Sequence, residues 1–174
     1  MGSVRKKEIG LKLMVKRTRA DFINLCETWC KSKYDISKLN INGYKIIRLD
    51  RDTKTSGGGL MTFYKEGYDV DELKYAHLNC NCKTCEFHIY TINIKQTRPL
   101  IVINCYKPPH INTDLFLTKL KNILENLEIK AELYIGGDTN IDYSIKTGNR
   151  YHKVKSFENQ FQLRYISKIW DQIN

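Results

Sequence analysis

Apolar residues along this chain come in short runs separated by turn signals, and the runs predict a mixed α/β order. Residues 5–20 set Ile9, Leu11, Leu13, Met14 and Val15 among basic side chains and predict a helix, interrupted by Gly10. Residues 21–26 form an apolar run that predicts a strand ending in Glu27-Thr28-Trp29. Asn42-Gly43 is a turn signal before a second strand over 44–49. A charged loop over 50–56 follows, and Gly57-Gly58-Gly59 then opens a third strand over 60–65, with the glycines predicting close backbone approach. Residues 66–79 read as a connection. Residues 86–94 and 100–106, joined by Lys95-Gln96-Thr97-Arg98-Pro99, predict a β-hairpin. Its second strand is stopped by Pro108-Pro109. Asn112-Thr113-Asp114 caps a helix reaching about residue 128, with Phe116, Leu120, Ile123, Leu124 and Leu127 on one face. A short buried strand ends in Gly136-Gly137-Asp138-Thr139-Asn140. A weaker helix around 153–163 and a strand over 165–170 complete the order.

Composition narrows the classes. A length of 174 residues with 41% hydrophobic content predicts a single globular domain over 1–174. No stretch approaches about 18 consecutive apolar residues, so no membrane span is expected. The basic residues 1–7 are not followed by an apolar core with a cleavage site, which argues against a secretory signal. An intracellular location is expected, cytoplasmic or, from Lys/Arg clusters such as Arg5-Lys6-Lys7, nuclear, with the six cysteines reduced and Cys26 and Cys105 acting as small buried hydrophobes. The formal net charge of +10 changes the picture more, because such a surplus favours a polyanionic partner. No repeat, low-complexity segment or interdomain linker is evident.

Candidate chemistry sits at strand ends. Asp138 and Asn140, delivered on a glycine turn, suit a phosphate and a metal-bound water. Glu27 is placed as a hard oxygen ligand for Mg²⁺. Tyr106 and Lys107, held by the prolines, bring a phenol and an ammonium to where a phosphate would lie. Each has a plainer account: a tight turn, a surface glutamate, a stiff loop with a solvated lysine. His77, Cys80, Cys82, Cys85 and His88 are dense enough to suggest zinc. Cys85 and His88 nevertheless stand three apart in a strand pattern and point to opposite faces, which favours free thiols.

Four pieces stand in order: Glu27-Thr28-Trp29, Arg51 followed by Gly57-Gly58-Gly59-Leu60, Tyr106-Lys107-Pro108-Pro109, and Gly136-Gly137-Asp138-Thr139-Asn140. Together they resemble the endonuclease/exonuclease/phosphatase superfamily, most closely the apurinic-type endonuclease domain of non-LTR (LINE-type) retrotransposon polyproteins. The resemblance covers about residues 20–165. It implies two mixed β-sheets packed face to face with flanking helices, a four-layer α/β/β/α sandwich. It also implies Mg²⁺-dependent DNA nicking, with Mn²⁺ as a substitute ion and no small-molecule cofactor. By the same resemblance Glu27 is a metal ligand, Tyr106 contacts the scissile phosphate, Asp138 orients the attacking water and Asn140 holds the phosphate. Arg51 and Lys107 are weaker phosphate or DNA contacts. DNA is the implied partner, alongside a reverse transcriptase domain of the same polyprotein.

The chain departs from that pattern. The superfamily begins with a strand bearing an Asn, and residues 1–20 contain none. It ends with a late Asp and an S-D-H-type stretch, and none of His77, His88, His110 or His152 has a matching context. Thr139 stands where an aromatic residue is common. An incomplete sandwich is therefore expected, lacking its first and last strands, with open sheet edges, marginal stability and poor activity. Two other functions fit the same residues: a catalytically dead nucleic-acid-binding remnant, and a superfamily phosphatase. A zinc-dependent interaction protein would rest on the Cys/His cluster alone.

Overall fold

Side-chain alternation on the strands decides the architecture. The structure, a computed structural model, describes residues 4, 8–51, 57–73, 80–81, 84–127, 131–142 and 145–166. Helix α1 (Glu8–Thr18) leads into β1 (Phe22–Cys26), and β2 (Tyr44–Leu49) and β3 (Leu60–Lys65) follow. These three strands form an antiparallel sheet in the order β1-β3-β2. The second sheet contains β4 (Asp69–Glu72), β5 (Cys80–Asn81), β6 (Glu86–Asn93), β7 (Leu100–Tyr106) and β8 (Glu132–Asp138). Its order is β4-β6-β7-β8, with β5 also pairing β6. This sheet is mixed, because β8 runs parallel to β7 while the other pairs are antiparallel. A parallel neighbour needs a crossover, and α2 (Thr113–Asn126) supplies it. Helix α3 (Gly148–Gln160) follows β8.

Three apolar clusters fill the layers. Leu11 and Val15 of α1, with Leu39 and Ile41, pack on Met61 and Phe63 and cover the outer face of the first sheet. Ile47, Tyr64, Tyr90, Ile92 and Val102 meet between the sheets. Phe116, Leu120, Ile123 and Leu124 of α2, with Phe157 of α3, cover Phe87, Ile89, Ile101, Ile103 and Cys105 on the outer face of the second sheet. The order is helix, sheet, sheet, helix. A buried polar clasp joins the sheets: Asn24 Oδ1 accepts from Thr62 Oγ1 at 2.7 Å and from Tyr90 Oη at 2.9 Å.

Helix α2 shows how the sequence dictates the element. The Asn112 side chain accepts from the Asp114 amide at 2.8 Å and caps the helix start. Residues spaced three and four apart bury one face, with Phe116 stacked on Phe87 at 5.5 Å between ring centroids. Other expectations need correction. Strand β4 was expected as connection, since Asp69-Val70-Asp71-Glu72 offers one apolar residue; it forms by edge pairing with β6. Helix α3 starts at Gly148, five residues before the predicted start, with no side-chain cap at Thr147 to signal it. Tyr165 and Ile166 are not strand, and residues 167–170 of that expectation lie outside the described residues, as do His77 and Cys82. Among the described residues no helix is long and apolar enough to cross a membrane.

Truncating Phe116, 2% exposed at the centre of the α2 face, removes a full aromatic contact. Phe116→Ala is expected to destabilise the protein by about 3–5 kcal/mol, read from the urea midpoint at unchanged slope.

Candidate active site

The candidate residues gather at one end of the sandwich, where β1, β7 and β8 terminate. Glu27 and Trp29 both adopt left-handed backbone, with φ of 58° and 55°. Such conformations cost about 1–2 kcal/mol each in a non-glycine residue and persist only when surroundings enforce them. The enforcement is visible. The amides of Thr28 and Trp29 donate to the carbonyls of Gly59 at 3.2 Å and Gly58 at 2.8 Å. The Trp29 indole Nε1 donates to Glu27 Oε2. The Tyr106 hydroxyl and the Gly58 amide also hydrogen-bond the Glu27 carboxylate.

Beneath this carboxylate lies a buried ion pair. Arg51, 7% exposed, donates through Nε to Oε1 of Glu86, which is fully buried. The other Glu86 oxygen accepts from the Gly59 amide at 2.8 Å. Gly58, at φ of 73°, lies so close to the guanidinium that a Cβ there would collide with it. The triple glycine is therefore required by contact and by backbone conformation.

Strand β8 brings the second half. Parallel register sets Asp138 beside Tyr106, and the Lys107 amide donates to the Asp138 carbonyl at 2.9 Å. Gly137, at φ of 136°, lies where a Cβ would strike the Cys105 carbonyl. Asn140, left-handed at φ of 47°, donates its amide N–H to Asp138 Oδ1 at 3.1 Å and its Nδ2 to the Lys107 carbonyl at 2.9 Å. Asp138 and Asn140 are exposed. A groove of about 460 Å³ leads away from Asn140, lined also by His110, Arg150 and Lys153. A larger cavity of about 1190 Å³ lies along α3 and holds none of the candidate residues.

No family model matches the chain, and no curated protein matches it. Solved structures do. The endonuclease domain of TRAS1, a telomere-specific non-LTR retrotransposon, aligns with a TM-score of 0.66 over 91% of this chain and 67% of that one, at 13% identity. An AP endonuclease from Archaeoglobus fulgidus gives 0.62 over 91% and 67%, at 15% identity. An endonuclease/exonuclease/phosphatase family protein from Leptotrichia buccalis gives 0.57 over 88% and 68%, at 15% identity. The chain has the endonuclease/exonuclease/phosphatase fold. It spans about two thirds of the length of these structures.

Within that fold, the structure brings Glu27, Tyr106, Asp138 and Asn140 together. Arg51 and Lys107, expected as phosphate or DNA contacts, are both turned to protein partners. Lys107 is 2% exposed, and its Nζ donates to the carbonyls of Ile111 at 3.1 Å and Pro108 at 3.3 Å. Burial holds its ammonium below the usual lysine value. The Cys/His pattern separates as its alternation implied: Cys85 is buried in the cluster under α2, while His88 faces between the sheets, 2.9 Å from Glu72 Oε2. Among the described residues no group of three or more His, Cys, Asp or Glu side chains could hold a metal. Glu86 and the Trp29 indole were missed. Glu86 shares the inward face of β6 with His88 and Tyr90, and an acidic residue on a buried strand face was the available signal.

The electrostatics follow from these contacts. Burial alone raises the Glu27 carboxyl, but the Tyr106, Trp29 and Gly58 donors and the Arg51 charge outweigh it and hold the group below 4.5. Burial and the Glu27 hydrogen bond push the Tyr106 phenol up, so it stays a donor. Burial likewise raises the Glu86 carboxyl, against the opposing pull of Arg51 and the Gly59 amide. A carboxylate with a depressed folded-state value adds stability above its unfolded value and loses it as pH falls through the folded value. The stability gap between the protein and Glu27→Gln is therefore expected to narrow as pH falls from about 7 to about 3, measured by urea unfolding across that window.

Proposed function

We propose that the protein is a metal-dependent phosphodiesterase that nicks DNA, of the kind found in non-LTR retrotransposons. The observation that carries this reading is the convergence of Glu27, Tyr106, Asp138 and Asn140 at one end of the sandwich, tied by hydrogen bonds and strand register. The net charge of +10 supports a polyanionic substrate, and the groove with His110, Arg150 and Lys153 beside Asn140 fits an anionic strand.

Glu27 fits a hard divalent cation. It stands partly exposed just past the end of β1, and Mg²⁺ characteristically takes one or two protein carboxylates, filling its sphere with water and phosphate oxygens. The bound ion would neutralise charge developing on the phosphate. The chain's own residues do the rest. The Asp138 carboxylate orients the attacking water and takes its proton as the water oxygen bonds to phosphorus; the P–O3′ bond breaks, and the departing 3′-oxygen takes a proton from solvent. Asn140 presents its side-chain amide to a non-bridging oxygen, and its left-handed backbone is fixed by Asp138 and Lys107. Tyr106, kept protonated, donates toward the phosphate or back to Glu27. A reverse transcriptase acting in the same polyprotein would extend the 3′-hydroxyl left by the nick.

The test is relaxation of supercoiled plasmid with Mg²⁺, with EDTA, and with single variants. Nicking is expected to need Mg²⁺ or Mn²⁺ and to fall at least about 100-fold in Glu27→Ala and in Asp138→Ala, with gel-shift affinity for DNA unchanged. DNA binding by a folded protein without metal-dependent nicking would instead make it a binding module.

A further inference from the structure

The Arg51–Glu86 pair has no assigned role in the chemistry, and its placement is costly. Two charges are withdrawn from water beneath the site, and a buried pair of this kind is commonly replaceable by apolar side chains without loss of stability. Both Glu86 oxygens are committed, one to Arg51 and one to the Gly59 amide. Arg51 is fixed at its other end, where its carbonyl accepts from Lys31 Nζ at 2.7 Å. One guanidinium nitrogen, Nη2, is buried and has no hydrogen-bond partner among the described residues. The guanidinium charge reaches Glu27 and Tyr106 as well as Glu86.

These contacts form one mechanical path. Glu86 fixes Gly59, Arg51 packs under Gly58, and the carbonyls of Gly58 and Gly59 hold the amides of Trp29 and Thr28. The Gly58 amide meets the Glu27 carboxylate directly. The left-handed backbone at Glu27 and Trp29 is imposed from this side. The charges form a second path. Without Glu86, a bare guanidinium would stand near the carboxylate meant for a cation.

We propose that the buried Arg51–Glu86 pair is the positioning unit of the site, fixing the Gly57-Gly58-Gly59 backbone and through it the Glu27 carboxylate in the arrangement that receives a divalent cation. This rests on Glu27 being a metal ligand. Glu86 acts on charge and geometry together, and removing both partners isolates the geometric part.

The experiment is Mn²⁺ binding to the whole chain, followed by the loss of the free-ion EPR signal, with thermal melting of each variant. Glu86→Gln is expected to weaken Mn²⁺ binding about tenfold or more, as outer-shell partners of metal ligands do. Arg51→Met/Glu86→Leu carries no buried charge and is expected to stay folded, melting below wild type only by what the Gly59 amide loses with its acceptor, yet also to bind Mn²⁺ about tenfold more weakly. Wild-type Mn²⁺ affinity in that folded double variant would make the pair merely structural and overturn the proposal, even if Glu86→Gln alone does not fold. Glu27→Ala separates the two levels. Unchanged affinity in Glu27→Ala overturns the metal-ligand reading, and the proposal with it. Lost affinity there, beside wild-type affinity in the double variant, overturns the positioning role alone.

Discussion

The parallel pairing of β7 with β8 is the constraint on which the site depends. Antiparallel hairpins account for the rest of the second sheet, but only a parallel neighbour brings the ends of two strands to the same edge. That requirement explains α2, whose apolar stripe must span the sheet while the chain returns to begin β8. It explains Gly137, which lets the strand lie against the Cys105 carbonyl. It also sets Asp138 beside Tyr106, with Asn140 folded back onto both the Asp138 side chain and the Lys107 backbone.

Across the sandwich, the first sheet answers with a different device. β1 runs into two left-handed residues, Glu27 and Trp29, rather than a simple turn, and the Thr28 and Trp29 amides, bonded to the Gly59 and Gly58 carbonyls, extend the pairing with β3 beyond the last strand residue. Glu27 is thereby presented to β7 as a side chain with its donors already in place. The polar end of the molecule is thus backed by packed hydrophobic layers, where the effective dielectric is low and each hydrogen bond counts for more.

Much of this was legible in the amino acids. Strands β2, β3, β6 and β7 stand out because β-branched and aromatic runs are bounded by Asn-Gly, triple glycine or prolines. Glu27, Tyr106, Asp138 and Asn140 stand out because each closes an apolar run. What stayed hidden is what tertiary contact decides. β4 carries too few apolar residues to announce itself and exists because β6 offers it an edge. Arg51 and Lys107 read as phosphate or DNA contacts because the sequence does not show that Glu86 and the Ile111 carbonyl will face them. Glu86 itself was obscured by its position at the start of a hairpin, where polar residues are ordinary.

The sequence separations carry a kinetic consequence. The β6–β7 hairpin closes over a short stretch of chain, whereas the contacts that complete the site join residues farther apart: 32 positions between Tyr106 and Asp138, 35 between Arg51 and Glu86, and 79 between Glu27 and Tyr106. Local units form first and distant docking follows, since loop closure must precede the contacts that reward it. The β6–β7 hairpin therefore precedes the candidate site in assembly. Glycine and charge substitutions around Glu27 act mainly by hastening the escape from the folded state, and leave the search for it almost untouched.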